Sequence, residues 1–265
     1  MLKLRILTAL LLIPLVLVGI FYSSPIGMMI ISGIIFLMAA WEWAALIGFT
    51  KTHQRIFYLQ ALLVFFALLF FTHHVFILIT ATFIWLALLY FVIRYDQFAK
   101  LWKQPGWKAA LGICLLGSSW YGVNIIANLP EGRFYLLFML LFIWGADIGA
   151  YFVGRAWGKH KLAPLISPGK SIEGVIGGSI AAVFIAAIAG YFFEPTEGLG
   201  YINLLVLALV TSLVSVLGDL TESMLKRQAG VKDSGRLLPG HGGLLDRIDS
   251  LISVAPIFAL WMLLS

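Results

Sequence analysis

Cysteine is almost missing from this sequence. The lone Cys114, set in an apolar run, leaves no disulfide framework and no Cys-rich metal site to consider. Charge is scarce as well: Asp, Glu, Lys and Arg together make up 11% of the 265 residues, while apolar side chains supply 62%. A soluble globule carries about 45–50% apolar residues, so that class is excluded and a polytopic membrane protein remains. Period-two alternation of apolar and polar residues is also absent, which argues against a transmembrane β-barrel. The eighteen bases outnumber the twelve acids, yet they form no continuous basic stripe, so no nucleic-acid partner is expected.

What is present is a series of apolar runs, at about 4–22, 26–47, 56–72, 74–93, 108–127, 134–153, 172–193, 202–227 and 246–264. Each is close to the roughly 20 residues that a hydrocarbon core of about 30 Å requires. The expected fold class is therefore an all-α polytopic membrane protein with about nine transmembrane helices. Lys3 and Arg5 ahead of an apolar run resemble a signal peptide, but no small-x-small site follows Tyr22-Ser23-Ser24-Pro25, and the run is read as a retained first helix. With a cytoplasmic N-terminus, every base except Arg133 falls on inner loops, as the positive-inside rule demands. An integral, multi-pass protein is expected, in the cytoplasmic (inner) membrane if the source is bacterial.

The first half carries little chemistry. Trp41-Glu42-Trp43 reads as an interfacial aromatic belt with a snorkelling carboxylate. His53, His73 and His74 are expected in solvated loops, and Tyr95, Phe98, Trp102 and Trp107, interleaved with bases over 94–108, as headgroup contacts. Residues 1–130 are thus assigned to a helical scaffold and 131–265 to a catalytic region.

The second half is different, because residues 219–249 pack acids and bases between two apolar runs. Ionisable groups at membrane depth are costly and mark working sites. Asp219, Glu222, Ser223, Lys226 and Arg227 share one helical face, and Asp246, Asp249 and Ser253 share another. Between them Pro239-Gly240-His241-Gly242-Gly243 breaks the helix. Two acidic faces around a basic, glycine-rich loop suit a metal-bridged phosphate. Upstream, Asp147 is expected to face the bundle interior, since Gly145 and Gly149 permit close helix approach. The alternative is a carboxylate that simply bonds a neighbouring helix. Ser167 is expected to cap the next helix with Pro168 at its first position, offering free N–H groups to an anion. Gly169-Lys170-Ser171 is not a P-loop, because Pro164 stands where the earlier glycine belongs and no strand is expected before it.

Ser223, Lys226-Arg227, Lys232-Asp233, Pro239-Gly240-His241-Gly242-Gly243 and Asp246-Arg247-Ile248-Asp249 together resemble the signature of the phosphatidate cytidylyltransferases, or CDP-diacylglycerol synthases. Asp147-Ile148-Gly149-Ala150-Tyr151, Gly154-Arg155 and Ser167-Pro168-Gly169-Lys170-Ser171-Ile172-Glu173-Gly174 resemble that family's second hallmark. The resemblance covers roughly residues 140–255. It implies transfer of a cytidylyl group from CTP to phosphatidic acid, in a membrane enzyme that forms a homodimer. It further implies Mg²⁺ on Asp219, Asp246 and Asp249, with Asp147 nearby; a second, monovalent ion is left open. Lys226, Arg227, Lys232 and Arg247 would hold phosphates, with Lys170, Ser167 and Ser171 reaching in from the earlier segment. His241 would contact phosphate or set the loop, Ser223 would bond a phosphate or ease packing, and Glu173, Glu222 and Asp233 would orient bases. No general base is required, because a phosphate monoester with a second pKa near about 6 is already largely dianionic. A CTP-dependent lipid kinase and an ion-coupled transporter are the competing readings.

Overall fold

The computed structural model describes residues 2–98, 101–192, 200–238, 240 and 242–265, with side chains from Leu10 onward. His241, Pro239 and Lys100 lie outside the described residues. The chain folds as helices α1 (Leu2–Tyr22), α2 (Pro25–Ile47), α3 (Thr52–Leu69), α4 (His74–Ile93), the single turn α5 (Tyr95–Phe98), α6 (Pro105–Ala127), α7 (Gly132–Trp157), α8 (Ile172–Phe192), α9 (Tyr201–Ala229) and α10 (Leu245–Leu264). Among the described residues eight helices, all but α1 and α5, are long and apolar enough to cross a membrane. The all-α polytopic class holds.

Local chemistry explains where the boundaries depart from the apolar runs. Helix α6 starts at Pro105, ahead of the expected Lys108, because proline is preorganised for the first helical position. Helix α3 begins at Thr52, so His53 lies in its first turn; there Arg55 Nε donates to the Phe49 carbonyl at 2.8 Å and its guanidinium stacks 5.2 Å from the Trp41 ring. His74, expected to be merely solvated, pairs through Nδ1 with the Tyr121 hydroxyl. The 94–104 segment also differs from the headgroup reading. Trp102 is fully buried, and Phe91 gathers Phe98 at 4.7 Å and Trp102 and Trp107 at 6.3 Å between ring centres.

The largest correction falls between α7 and α8. Lys161–Ala163 (β1) and Ser167–Ser171 (β2) form an antiparallel hairpin, with Lys161 opposite Ser171 and Ala163 opposite Ser167. Ser167 is therefore a strand residue, and the cap is Ser171, whose Oγ accepts the Gly174 N–H at 3.1 Å. A strand also precedes Gly169-Lys170-Ser171, so the P-loop is excluded by Pro164 alone.

Close backbone approach fixes the second half of the bundle. A Cβ on Gly178 would stand 2.5 Å from the Ala146 carbonyl oxygen, and one on Gly149 2.7 Å from that of Gly177. The small residues of α7 and α8 thus let the two backbones touch, as the sequence predicts. Gly178→Ala should therefore force the helices apart and cost about 1–3 kcal/mol, read as a lower thermal midpoint in detergent. On α10, Pro256 cannot donate to the Ile252 carbonyl. The Ser119 hydroxyl of α6 is shared between that carbonyl and the Leu115 carbonyl of its own helix, 2.6 Å from the latter, and α6 packs so tightly there that a Cβ on Gly122 would lie 2.7 Å from the Ala255 oxygen. A neighbouring serine restoring a bond lost to proline is how membrane helices tolerate such breaks.

Candidate active site

Charged groups collect at one end of the bundle, where the C-terminal turns of α2 and α9 meet the N-terminus of α10 and the hairpin. Helix α9 ends at Gly230, left-handed at φ 70°, and frees the chain for the 231–244 loop. That loop folds back on itself through a bridge between Leu238 and Gly242, and Gly242 has φ 84°, a conformation that favours glycine.

An inner layer is organised by Asp246. Its Oδ2 accepts the Ser234 N–H at 2.9 Å, the Gly243 N–H at 2.8 Å and a contact from the Ser234 hydroxyl at 3.0 Å; its Oδ1 accepts from Lys226 Nζ at 2.7 Å. Lys226 also bonds Glu222 one turn earlier on α9, so its ammonium joins the two acidic faces. Glu222 is 2% exposed, and its Oε1 is buried without a hydrogen-bond partner among the described residues. A narrow cavity lined by Trp43, Trp85, Glu222, Leu245 and Asp249 lies beside it.

An outer layer is accessible. Lys170, carried in by β2, meets Asp219 at 2.7 Å, and Asp219 also accepts the Ser223 hydroxyl at 3.0 Å. Asp147 is exposed, and Asp219, Lys170 and Arg247 are near enough to act on it electrostatically. Asp219, Glu222 and Asp249 each place a carboxylate oxygen within 4.8 Å of the others. Three hard oxygen donors at that spacing could hold a metal ion.

The spacing is set by contact between backbones. A Cβ on Gly218 would lie 2.4 Å from the Asp249 carbonyl oxygen, so α9 and α10 touch where Asp219 and Asp249 face each other.

A model of the cytidylyltransferase family matches residues 3–265. The chain belongs to this family. The phosphatidate cytidylyltransferase of Pseudomonas aeruginosa is 40% identical to it over 265 residues, 98% of this chain and 97% of that one. The phosphatidate cytidylyltransferase of Haemophilus influenzae is 40% identical over 282 residues, 98% of each chain. That of Staphylococcus haemolyticus is 45% identical over 150 residues, 54% of this chain and 56% of its own.

For this member of the family, Asp147, Lys170, Asp219, Glu222, Ser223, Lys226, Asp246, Arg247 and Asp249 belong to one constellation. Other candidates stand apart from it. Lys232 and Asp233 are exposed on the 231–244 loop. Arg227 spends its Nε on the Ile166 carbonyl at 3.1 Å, fastening α9 to the hairpin. Ser171 is buried as a helix cap, and Ser167 pairs within the hairpin. Glu173, expected to orient a base, accepts the N–H groups of Lys159 and His160 at 3.2 Å and pairs with the His160 ring at 2.6 Å, closing the approach to the hairpin. Among the carboxylates, the close trio consists of Asp219, Glu222 and Asp249, while Asp246 is held by Lys226, Ser234 and Gly243.

One residue was misread. Glu42, expected to snorkel, is 6% exposed and accepts the Leu245 N–H at 2.8 Å and the Ser234 hydroxyl at 3.1 Å. Its signal lay in plain view, for it is the only acid before Asp96.

Proposed function

We propose that the protein transfers the cytidylyl group of CTP to phosphatidic acid, giving CDP-diacylglycerol and pyrophosphate. The observation that carries this reading is the constellation itself, three clustered carboxylates ringed by Lys170, Lys226 and Arg247 at one end of a membrane bundle. Two curated phosphatidate cytidylyltransferases matched over nearly their whole length support it.

In the reaction a phosphate oxygen of phosphatidic acid forms a bond to the α-phosphorus of CTP. The bond from that phosphorus to the β-phosphate oxygen breaks, and pyrophosphate leaves with the electron pair. Two anions must be brought together, so the chain's task is mainly positioning and charge neutralisation. Lys170 and Arg247, in the accessible layer, are placed to receive phosphates; Lys226 stiffens the floor beneath them. Asp219, Glu222 and Asp249 would hold Mg²⁺, which when bound supplies Lewis-acid charge stabilisation to phosphoryl oxygens. A homodimer is a further part of the proposal and rests on the resemblance alone. The same reading sets this end of the bundle, with its basic loops, toward the cytoplasm of an inner membrane.

The test uses protein purified in detergent, with phosphatidic acid and CTP labelled at the α-phosphate or the γ-phosphate. Label from the α-position is expected in the lipid phase together with released pyrophosphate. Chelation with EDTA should reduce incorporation to background, and Mg²⁺ should restore it. Transfer of the γ-label would identify a lipid kinase, and transfer of neither would return the transporter reading.

A further inference from the structure

We infer that Glu42, at the end of α2 and remote in sequence from the constellation, is a positioning residue that sets Asp246 and the 234–245 loop for the reaction. This rests on the cytidylyl-transfer reading above. The observations are geometric. The carboxylate of Glu42 makes hydrogen bonds to two groups, the Leu245 N–H at 2.8 Å and the Ser234 hydroxyl at 3.1 Å. Those two residues bracket the loop, and both adjoin Asp246: Leu245 precedes it in α10, and Ser234 bonds its Oδ2 through both N–H and hydroxyl.

The loop is built around this carboxylate. A Cβ on Gly235 would stand 2.2 Å from Glu42 Oε1, and one on Gly243 2.4 Å from Oε2. Only bare backbone fits on either side. The arrangement is poor for stability alone, since Oε1 is buried without a hydrogen-bond partner and no ion pair among the described residues involves Glu42. Leaving a buried acceptor unsatisfied carries a desolvation cost. What the cost secures is a chain of contacts, Glu42 to Ser234 to Asp246 to Lys226, running from the first half of the protein into the site. The Ser234 hydroxyl has a single proton and two carboxylate neighbours, so a change at Glu42 alters what Ser234 gives Asp246. Glu42 itself touches none of the residues placed to receive phosphate.

The experiment compares full-length wild type, Glu42→Gln, Ser234→Ala and the double variant in the labelled-CTP assay, with thermal midpoints and trypsin cleavage at the exposed Lys232 and Arg236. In Glu42→Gln the amide oxygen can keep both bonds at the Oε2 position, but its NH₂ then lies at the buried Oε1 position, where no acceptor is met among the described residues, and the acceptor left to Ser234 and Leu245 is neutral. We expect kcat to fall about 10- to 100-fold, as small displacements of a site do, with KM for both substrates within twofold and faster cleavage of the loop. Because both residues act through Asp246, the double variant should be no slower than Glu42→Gln alone. A wild-type kcat in Glu42→Gln, or a double-variant loss equal to the product of the single losses, would overturn the inference. If Glu42→Gln does not fold, Ser234→Ala decides, and an unchanged kcat there overturns it equally. An inactive wild type would sink the reaction reading and the catalytic part of this one with it, while trypsin would still show whether Glu42 ties down the loop.

Discussion

Asp246→Asn will abolish turnover while leaving a folded protein in the membrane. The carboxylate accepts donors on both oxygens, the Ser234 and Gly243 N–H groups on Oδ2 and the Lys226 ammonium on Oδ1. Asparagine offers one acceptor and one donor. If its NH₂ faces Lys226, two donors oppose each other; if it faces the loop, two backbone N–H groups lose their partner. Either way Glu222 is the one carboxylate left bonded to Lys226 among the described residues, and the charge joining α9 to α10 is lost. Charge-assisted bonds of this kind are among the stronger ones in proteins. Removing a preorganised electrostatic group costs about 10²–10³-fold in rate, and here loop and lysine are both disturbed, so the upper end of that range is expected. The assay is incorporation of α-labelled CTP into lipid, with elution volume and thermal midpoint as controls for folding. Activity within tenfold of wild type would remove Asp246 from the machinery.

Gly243→Ala should be nearly as damaging for a different reason. A Cβ there would lie 2.1 Å from Ser234 Oγ, 2.4 Å from Glu42 Oε2 and 2.7 Å from the Gly235 nitrogen. One of those atoms is backbone and another belongs to a carboxylate held by two bonds, so the loop cannot yield locally. Overpacking a tight site costs about 1–3 kcal/mol, and the displaced loop carries the N–H groups that hold Asp246. Both a lower thermal midpoint and a loss of turnover of about 10²-fold are expected. An alanine variant with wild-type turnover would show that the loop rearranges freely around the acid.

Much of the site could be read from spacing because its parts are local. Asp219, Glu222, Ser223 and Lys226 lie on one helix, and the 3.6-residue period fixes which of them share a face. Asp246 and Asp249 follow the same rule on α10. The fold class was legible for a similar reason, since eight spans among the described residues satisfy a length rule that depends on composition alone. What could not be read is whatever depends on pairing between distant segments. Glu42 meets Leu245 across 203 positions, and Trp-Glu-Trp looks the same at an interface as in a buried clamp. Ser167-Pro168-Gly169 has the chemistry of a helix start, but Lys161 and Ser171 pair across the turn and draw it into a strand. Trp102 sits among bases in the sequence, yet packing with Phe91 buries it. Similarly, helical periodicity put Asp246 on a face with Asp249 but could not show that N–H groups of the preceding loop bond its carboxylate.

The Ser119 bond to the Ile252 carbonyl has a mechanical consequence. A proline inside a helix ordinarily leaves a hinge, because the turn before it lacks a rung. Here α6 supplies that rung from outside and presses its own backbone against the same turn. The helix that bears Asp246 and Asp249 is thereby a fixed fulcrum. A displacement of α10 at Pro256 would therefore have to carry α6 with it, so the acids at the start of α10 are braced from the far side of the proline.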